Sequence, residues 1–150
     1  IGNVVNRIDH AQSGAVMAFR ILDRLGADPE DIATIIAAIG NHDEHTAEPV
    51  NPIAAALILA DKTDVRYTRV RETDPSKFDI HDRVNFAVRR ARTYIDDAHE
   101  SVTLEMTVDT QYCSVMDYFE IFLGRMLLCR KAAERLGLMF RLVINDQRLL

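Results

Sequence analysis

The sequence predicts a mainly α-helical protein, a helical bundle with a small strand–helix–strand unit at its C-terminal end. In the first two-thirds of the chain, apolar residues recur every three or four positions, which is the spacing of an amphipathic helix. In two short stretches of the last third they alternate with polar residues, as in a half-buried strand. We therefore expect a helical domain over residues 1–95 and the C-terminal unit over residues 96–150.

The first two helices are predicted to form an αα-hairpin. An apolar stripe runs from His10 to Leu25, and Gly26 suits the position directly after a helix. An Asp-Pro-Glu tripeptide at residues 28–30 then provides an N-cap, a first-turn proline and a first-turn acid, so a second helix begins there. Its isoleucine stripe continues in the same rhythm to His42.

Two further helices are expected before the C-terminal unit. Residues 53–60 are apolar on every side, which is typical of a helix that is buried all round, and Asn51 precedes them as an N-cap. Asp61 is the first polar side chain of that segment. A stripe from Ile80 to Ala91 predicts the fourth helix.

The C-terminal unit is expected to begin with a strand at residues 102–108. A capping box at residues 114–117 opens a long helix that ends near Leu136, and residues 140–144 form the second strand. An open edge strand in this unit offers a place for pairing with another copy of the chain, so a homodimer is one expected assembly.

Composition and charge disfavour several classes of function. The formal net charge is −5 and no basic surface dominates, which argues against non-specific nucleic-acid binding. The longest apolar runs are too short to span a bilayer, so no membrane partner is expected. Cys113 and Cys129 cannot form a disulfide framework for a chain of 150 residues, which favours a cytoplasmic protein.

Two histidines are predicted to meet at one end of the hairpin. His10 begins the first helix, His42 follows the stripe of the second, and the short loop between the helices makes them antiparallel. Helices of about 16 and 13 residues differ in length by only about one turn. Both imidazoles should therefore lie near the same end of the hairpin and on its inward face.

Asp61 adds a third inward group. A carboxylate that follows eight apolar residues needs a cation nearby, because burying it unpaired is costly. Imidazole and carboxylate together suit Mn²⁺, Fe²⁺, Zn²⁺ or a similar divalent ion. The sequence thus indicates His10, His42 and Asp61 as ligands of a divalent metal. Two alternatives stay open. A histidine on a helix stripe is more often a hydrogen-bonded boundary residue, and Asp61 could instead pair with Lys62 or Arg66.

About half of the chain, residues 1–71, resembles the later part of an HD-domain metal-dependent phosphohydrolase. The resemblance rests on three stretches in the same order: DHAQSGAVMAFRIL, IIAAIGNHDEH and AALILADKTDVRYTRVR. The family pattern has a histidine before a Gly-Ala helix, then Ala-Ile-x-x-His, then an apolar helix that ends in Ala-Asp with an arginine nearby. The helical part is accordingly expected to be an HD-domain bundle.

The resemblance implies the activity and the site. It implies hydrolysis of a phosphoester, of a phosphorylated small molecule or a nucleotide, with one or two divalent ions such as Mn, Fe, Zn or Mg. Asp61 would be the closing aspartate on the metal, and His10 and His42 would bind a second metal or the substrate phosphate. The eponymous His-Asp pair is expected directly before Ile1, because that pair is often followed by Ile-Gly.

Two neighbours of Asp61 are further candidates for catalysis. Asp64 lies one helical turn beyond it and would orient a ligand or hold a cation. Arg66 would contact phosphate through its guanidinium fork. The alternative is that both residues form solvated ion pairs at the surface, and the sequence leaves the two interpretations open.

Other assignments also stay open. His42-Asp43 could itself be the eponymous pair, although the gap from Asp43 to Asp61 is short for that role, and His45 lies close enough in sequence to be recruited. The rival to an enzyme is a catalytically inactive HD-fold binding or regulatory module. A third hypothesis is a structural interaction domain that uses the C-terminal unit.

Overall fold

A computed structural model describes residues 1–44, 46–70, 72 and 74–150. The helices and strands of those residues are, in chain order, α1 (His10–Arg24), α2 (Pro29–Gly40), α3 (Pro52–Lys62), α4 (Ile80–Ala87), β1 (Val88–Ile95), β2 (Ser101–Val108), α5 (Val115–Arg135), β3 (Met139–Ile144) and β4 (Gln147–Arg148). Short 3₁₀ turns lie at Gly2–Val4, Tyr67–Arg69 and Pro75–Lys77.

The predicted fold class is wrong, because the protein is α+β rather than a mainly α-helical bundle. The five α-helices of the described residues are joined by a four-stranded mixed sheet with the order β1-β2-β3-β4. β1 pairs antiparallel with β2, β2 pairs parallel with β3, and β3 pairs antiparallel with β4. The parallel pair is connected through α5, as a parallel connection requires.

The error has its origin in the fourth predicted helix. The stripe from Ile80 to Ala91 was expected to be one helix, but α4 ends at Ala87 and the chain continues directly into β1. The segment Thr93-Tyr94-Ile95 contains only β-branched and aromatic residues, which favour a strand. Pairing with residues 102–108 of β2 then satisfies backbone groups of this segment, and that long-range partner outweighs the local helical pattern.

Sequence signals at the other helix ends are confirmed. The Asp28 side chain accepts a hydrogen bond from the backbone N–H of Glu30 at 2.8 Å, and Asn51 accepts one from Ala54 at 2.7 Å. Ser114 and Asp117 form both hydrogen bonds of the capping box that opens α5. The predicted strands at 102–108 and 140–144 correspond to β2 and β3.

One hydrophobic core joins α3, α5 and the sheet. Its largest fully buried side chains include Ile58 of α3, Tyr118 and Phe122 of α5, and Leu104 and Leu142 of the sheet. The expectation that α3 is buried all round is wrong, since one face of it is exposed, and Ile53 is 53% exposed. β1 lies on the N-terminal side of the proposed boundary between residues 95 and 96, yet it pairs with β2.

The turn between β1 and β2 is closed by a single carboxylate. Asp96 accepts hydrogen bonds from the backbone N–H groups of Glu100 and Ser101 and from the Ser101 hydroxyl, at 2.7–3.0 Å. These hydrogen bonds to Ser101 and Glu100, with the charge of Arg141, lower the pKa of Asp96 to about 2 against a small opposing effect of burial. The ionised form of Asp96 is therefore the form that stabilises the turn.

We predict that Asp96→Asn removes part of the acid sensitivity of the fold. Because the pKa of Asp96 is depressed in the folded protein, its contribution to the free energy of unfolding is complete above the unfolded value near pH 4 and is lost as the pH falls towards about 2. The stability difference between wild type and Asp96→Asn, measured by urea unfolding, should shrink over that interval. Asp97→Asn, at the exposed neighbouring position, serves as the control, and a pH-independent difference for Asp96→Asn would contradict the assignment.

Candidate metal centre

His10 is the first residue of α1 and is held there from two sides. Its Nδ1 lies 2.9 Å from the backbone carbonyl of Arg7. The backbone of Gly2 packs against the same turn, so closely that a Cβ at Gly2 would lie 1.8 Å from the His10 carbonyl oxygen and 2.8 Å from the Gly14 nitrogen. Only glycine fits at residue 2. The segment before α1 thereby fixes the position of the first turn of α1, which carries the His10 imidazole.

His42 lies two residues beyond the end of α2. Its Nδ1 is 2.6 Å from the carbonyl oxygen of Ile39 in the last turn of that helix. The Gln12 side chain of α1 donates to the carbonyl of Gly40 at 3.0 Å, which ties the end of α2 to the start of α1. The second imidazole is thus held by the helix it follows, next to the first turn of α1.

The two imidazoles meet, as the hairpin geometry predicted. His10 Nε2 lies 3.1 Å from His42 Nε2, with the rings edge to face and 5.0 Å between their centroids. A carbonyl oxygen only accepts hydrogen bonds, so the Nδ1 atom of each ring carries the proton. Two neutral rings of this tautomer point lone pairs at each other, and this contact needs a shared proton or a cation between the nitrogens.

The geometry of this pair fits two ligands of one metal ion. Nitrogen ligands about 2.0–2.1 Å from Zn²⁺ lie roughly 2.9–3.4 Å apart for angles of about 90–110° at the metal. The separation of 3.1 Å falls inside that range. In metal sites the second nitrogen of a ligating histidine commonly donates to a backbone carbonyl, which fixes the tautomer and the ring orientation. Both rings have this support.

Asp61, the third predicted ligand, is bound to a lysine. Lys62 Nζ lies 2.5 Å from Asp61 Oδ2, and the lysine is buried while the Asp61 side chain is 39% exposed. Burial raises the pKa of Asp61, but the hydrogen bond and charge of Lys62, with the charges of His42 and Arg69, outweigh it and leave the pKa below its ordinary value. The carboxylate is therefore ionised and within electrostatic reach of His42.

Asp64 and Arg66, the other predicted catalytic residues, form an ion pair with each other. Arg66 Nε lies 2.9 Å from Asp64 Oδ1, and Arg69 binds the backbone carbonyl of Asp64 at 2.8 Å. All three side chains are more than one-third exposed. The structure places these residues at the surface directly after α3, close in sequence to Asp61 but outside the contact between the imidazoles.

Two further candidates from the sequence are Asp43 and His45. Asp43 lies in the turn after His42, where its carbonyl accepts a hydrogen bond from Thr46, and His45 lies outside the described residues. Within residues 1–44, 46–70, 72 and 74–150, no group of three or more His, Cys, Asp or Glu side chains is arranged to hold a metal ion. His10 and His42 are thus brought together, and Asp61 is not.

The sequence did not predict that three charged residues near the site, Lys62, Glu44 and Arg125, form a connected group. Lys62 Nζ also lies 3.9 Å from the carboxylate of Glu44, and Glu44 forms an ion pair with Arg125 of α5. Lys62 stood out only as a neighbour of Asp61, and no local signal connects Glu44 with a residue 81 positions further along the chain. An ion-pair chain therefore runs from Asp61 through Lys62 and Glu44 to Arg125.

A groove of about 590 Å³ lies between α1 and α2, beside the imidazoles. It is lined by Gln12, Ala15, Val16, Phe19, Ala33, Ile36, Ala37, Gly40 and Asn41. This described lining contains neither imidazole and no charged side chain, so it does not offer phosphate a cationic partner.

Comparison with known proteins adds no relative to this description. No protein family, no curated protein and no solved structure matches the chain. The resemblance to HD-domain phosphohydrolases stays a prediction that rests on the three sequence stretches. Among the described residues, no helix is both long and apolar enough to cross a membrane.

We predict that Gly2→Ala destabilises the protein and displaces His10. The new methyl group must push against the backbone of α1, because its nearest neighbours are main-chain atoms. Urea unfolding should show a loss of about 1–3 kcal/mol, as is usual for an overpacked contact. The His10 ring resonances should shift in NMR spectra of the same variant.

Gly124→Ala is the matched control for this prediction. Gly124 lies inside α5 with open space at its Cβ position, so the same substitution should stabilise the helix by about 0.5–1 kcal/mol. Equal stability of Gly2→Ala and wild type would show that the close packing at Gly2 does not fix the start of α1.

Proposed function

We propose that the protein is a metal-dependent phosphohydrolase that cleaves a phosphoester of a small molecule or nucleotide in the cytoplasm. The observation that supports this most is the 3.1 Å contact between the Nε2 atoms of His10 and His42. Both rings are oriented by backbone carbonyls, as metal-ligating histidines commonly are. The resemblance of residues 1–71 to the HD-domain superfamily points to the same chemistry.

The proposed ligands are His10, His42 and Asp61. The two imidazoles contribute their Nε2 lone pairs, and Asp61 contributes a carboxylate whose pKa Lys62 lowers against the opposing effect of burial. Such a set accepts Mn²⁺, Fe²⁺ or Zn²⁺. A bound divalent ion supplies the activation of water and the neutralisation of phosphate charge that phosphoester hydrolysis needs.

The residues after α3 have supporting roles in this proposal. Arg66 is 58% exposed at its side chain, so its guanidinium can exchange the Asp64 carboxylate for a substrate phosphate. Asp64, bound by Arg66 and Arg69, keeps both guanidinium groups beside the end of α3 until that exchange. These side chains bind and orient the phosphate, and the imidazoles and Asp61 bind the metal.

A second candidate function is a catalytically inactive binding or regulatory module of the same fold. One observation favours it, namely that Asp61 is bound to Lys62 and no group of three ligand side chains is assembled among the described residues. The two candidates differ in turnover but share the metal. Measurements of metal content and of hydrolysis on one protein preparation therefore separate them.

We predict that His10→Ala and His42→Ala each abolish metal binding. Isothermal titration of the full chain with Mn²⁺ should show binding by wild type. Loss of either imidazole should weaken the affinity by at least about 100-fold, because loss of a residue that only supports a ligand already weakens metal affinity by up to about that factor. Hydrolysis of p-nitrophenyl phosphate, bis-p-nitrophenyl phosphate and a nucleotide panel should fall in parallel. His81→Ala, at an exposed position on α4, is the matched control.

The outcomes distinguish the candidates. Mn²⁺ binding with hydrolysis supports the phosphohydrolase, and Mn²⁺ binding without hydrolysis of any ester in the panel supports the regulatory module. If wild-type protein binds no divalent ion, both candidates fail, and a shared proton then accounts for the contact between the imidazoles.

A further inference from the structure

The four-stranded sheet carries the hydrophobic core on one of its sides. Alternate residues of β2 and β3, among them Leu104, Met106 and Leu142, belong to that core. α4 and α5 pack against the sheet, α3 packs against α5, α2 against α3 and α1 against α2, so the helices extend outward from this side. Side chains of a strand alternate between its two sides, and the residues between those of the core therefore face away from the helices.

The opposite side of the sheet, which we call the open face, is defined by the strand register. Its residues alternate with the core residues or pair with residues that do, and they include Arg90, Arg92, Tyr94, Thr103, Glu105, Thr107, Arg141, Val143 and Arg148. Four of these residues are arginines and one is an acid. The register thus collects on one surface basic residues that are far apart in the sequence.

Two arginines of β1 are exposed and available to a ligand. None of the described carboxylates forms an ion pair with Arg90 or Arg92. Glu105 lies opposite Arg92 in the register, but the Arg92 guanidinium lies over the Tyr94 ring instead, 4.9 Å from its centroid. Stacking occupies the flat side of a guanidinium and leaves its N–H groups able to donate. Both arginines therefore have donors available for an anion.

The available donors are concentrated on β1. Arg141 lies 3.7 Å from the Asp96 carboxylate, and Arg148 donates to the carbonyl of Leu150 at 3.0 Å. Arg90 and Arg92 are two residues apart on one strand, which separates their backbones by about 7 Å. This separation is comparable to the distance between successive phosphates of an extended nucleic-acid strand.

We propose that the open face binds single-stranded nucleic acid, with Arg90 and Arg92 at successive phosphates and a base stacked on the Arg92–Tyr94 pair. Guanidinium forks suit phosphate oxygens, and bases stack on aromatic rings and on guanidinium planes. Proteins that bind single strands combine a positive surface along the backbone with such stacking side chains. The inference is independent of the proposed hydrolysis, because the imidazole pair lies on the hairpin and not on the sheet.

The net charge of −5 does not oppose a contact of this kind. At physiological ionic strength charges act over about 8 Å, so carboxylates on distant surfaces are screened from the open face. The nearer carboxylates of Asp96 and Asp109 each form an ion pair with an arginine. An acidic peptide would use the arginine charges alone, whereas nucleic acid uses both the charges and the stacked pair, which favours nucleic acid as the ligand.

The test measures binding of the full chain to a fluorescent oligothymidylate of about 12 nucleotides by anisotropy. EDTA in the buffer excludes a contribution from a divalent ion at the imidazole pair. Wild type should bind at about 50 mM salt, and Arg90→Gln and Arg92→Gln should each weaken binding about fivefold to tenfold. Each variant removes one phosphate contact, so the slope of log K against log salt concentration should fall in magnitude by about 0.7.

Two further variants separate stacking and net charge from phosphate contact. Tyr94→Leu should weaken binding at least about fivefold without changing the salt slope, because it removes a stacking ring and no charge. Arg20→Gln is the matched control, since it removes an exposed arginine from α1 and changes the net charge by the same amount. Its affinity should equal that of wild type.

Three outcomes overturn the inference. They are absence of binding by wild type, equal losses in Arg20→Gln and Arg92→Gln, and tighter binding of a glutamate-rich peptide than of the oligonucleotide, which would assign the open face to an acidic protein. Circular dichroism checks that each variant is folded. Arg90 and Arg92 are exposed, so their variants keep the test decisive if Tyr94→Leu does not fold.

Discussion

The antiparallel packing of α1 and α2 is the constraint on which the candidate site depends. α1 has 15 residues and α2 has 12, so a chain that starts α1 with one histidine and leaves α2 near the other returns to the same end of the hairpin. The close approach of Gly2 to the first turn of α1 and the hydrogen bond from Gln12 to Gly40 hold the two ends together. A shift of either helix by one turn would separate the imidazoles by about 5 Å.

The sequence could predict the parts of the fold that local chemistry determines. The N-caps at Asp28, Asn51 and Ser114 depend on residues within one turn, and they are where the sequence indicated. β1 could not be found in this way, because its strand conformation depends on pairing with β2 beyond a turn. The stripe from Ile80 to Ala91 satisfied the helical period equally well, and tertiary pairing decided between the two.

The candidate site likewise has one part that local sequence predicts and one part that depends on distant contacts. The meeting of His10 and His42 followed from helix lengths and an antiparallel connection, both of which are local. The ion pair of Asp61 with Lys62 was one of three alternatives that the sequence left open, beside a metal ion and Arg66. The role of Glu44 and Arg125 was out of reach, because it depends on α5 packing against α3, a contact that no periodicity encodes. Reasoning from sequence thus identified the imidazole pair more readily than the charged residues around it.

The connection of β2 to β3 through α5 has a consequence for the order of folding. The αα-hairpin joins neighbours in the chain, whereas the parallel strands come together only after the 21 residues of α5 have folded back between them. Contacts between distant residues carry a larger loop-closure entropy and are slow to form. We therefore expect the imidazole pair to assemble early and the ion-pair chain to Arg125 to close last, so that the folding chain passes through a stage with both histidines in place and these charged residues still apart.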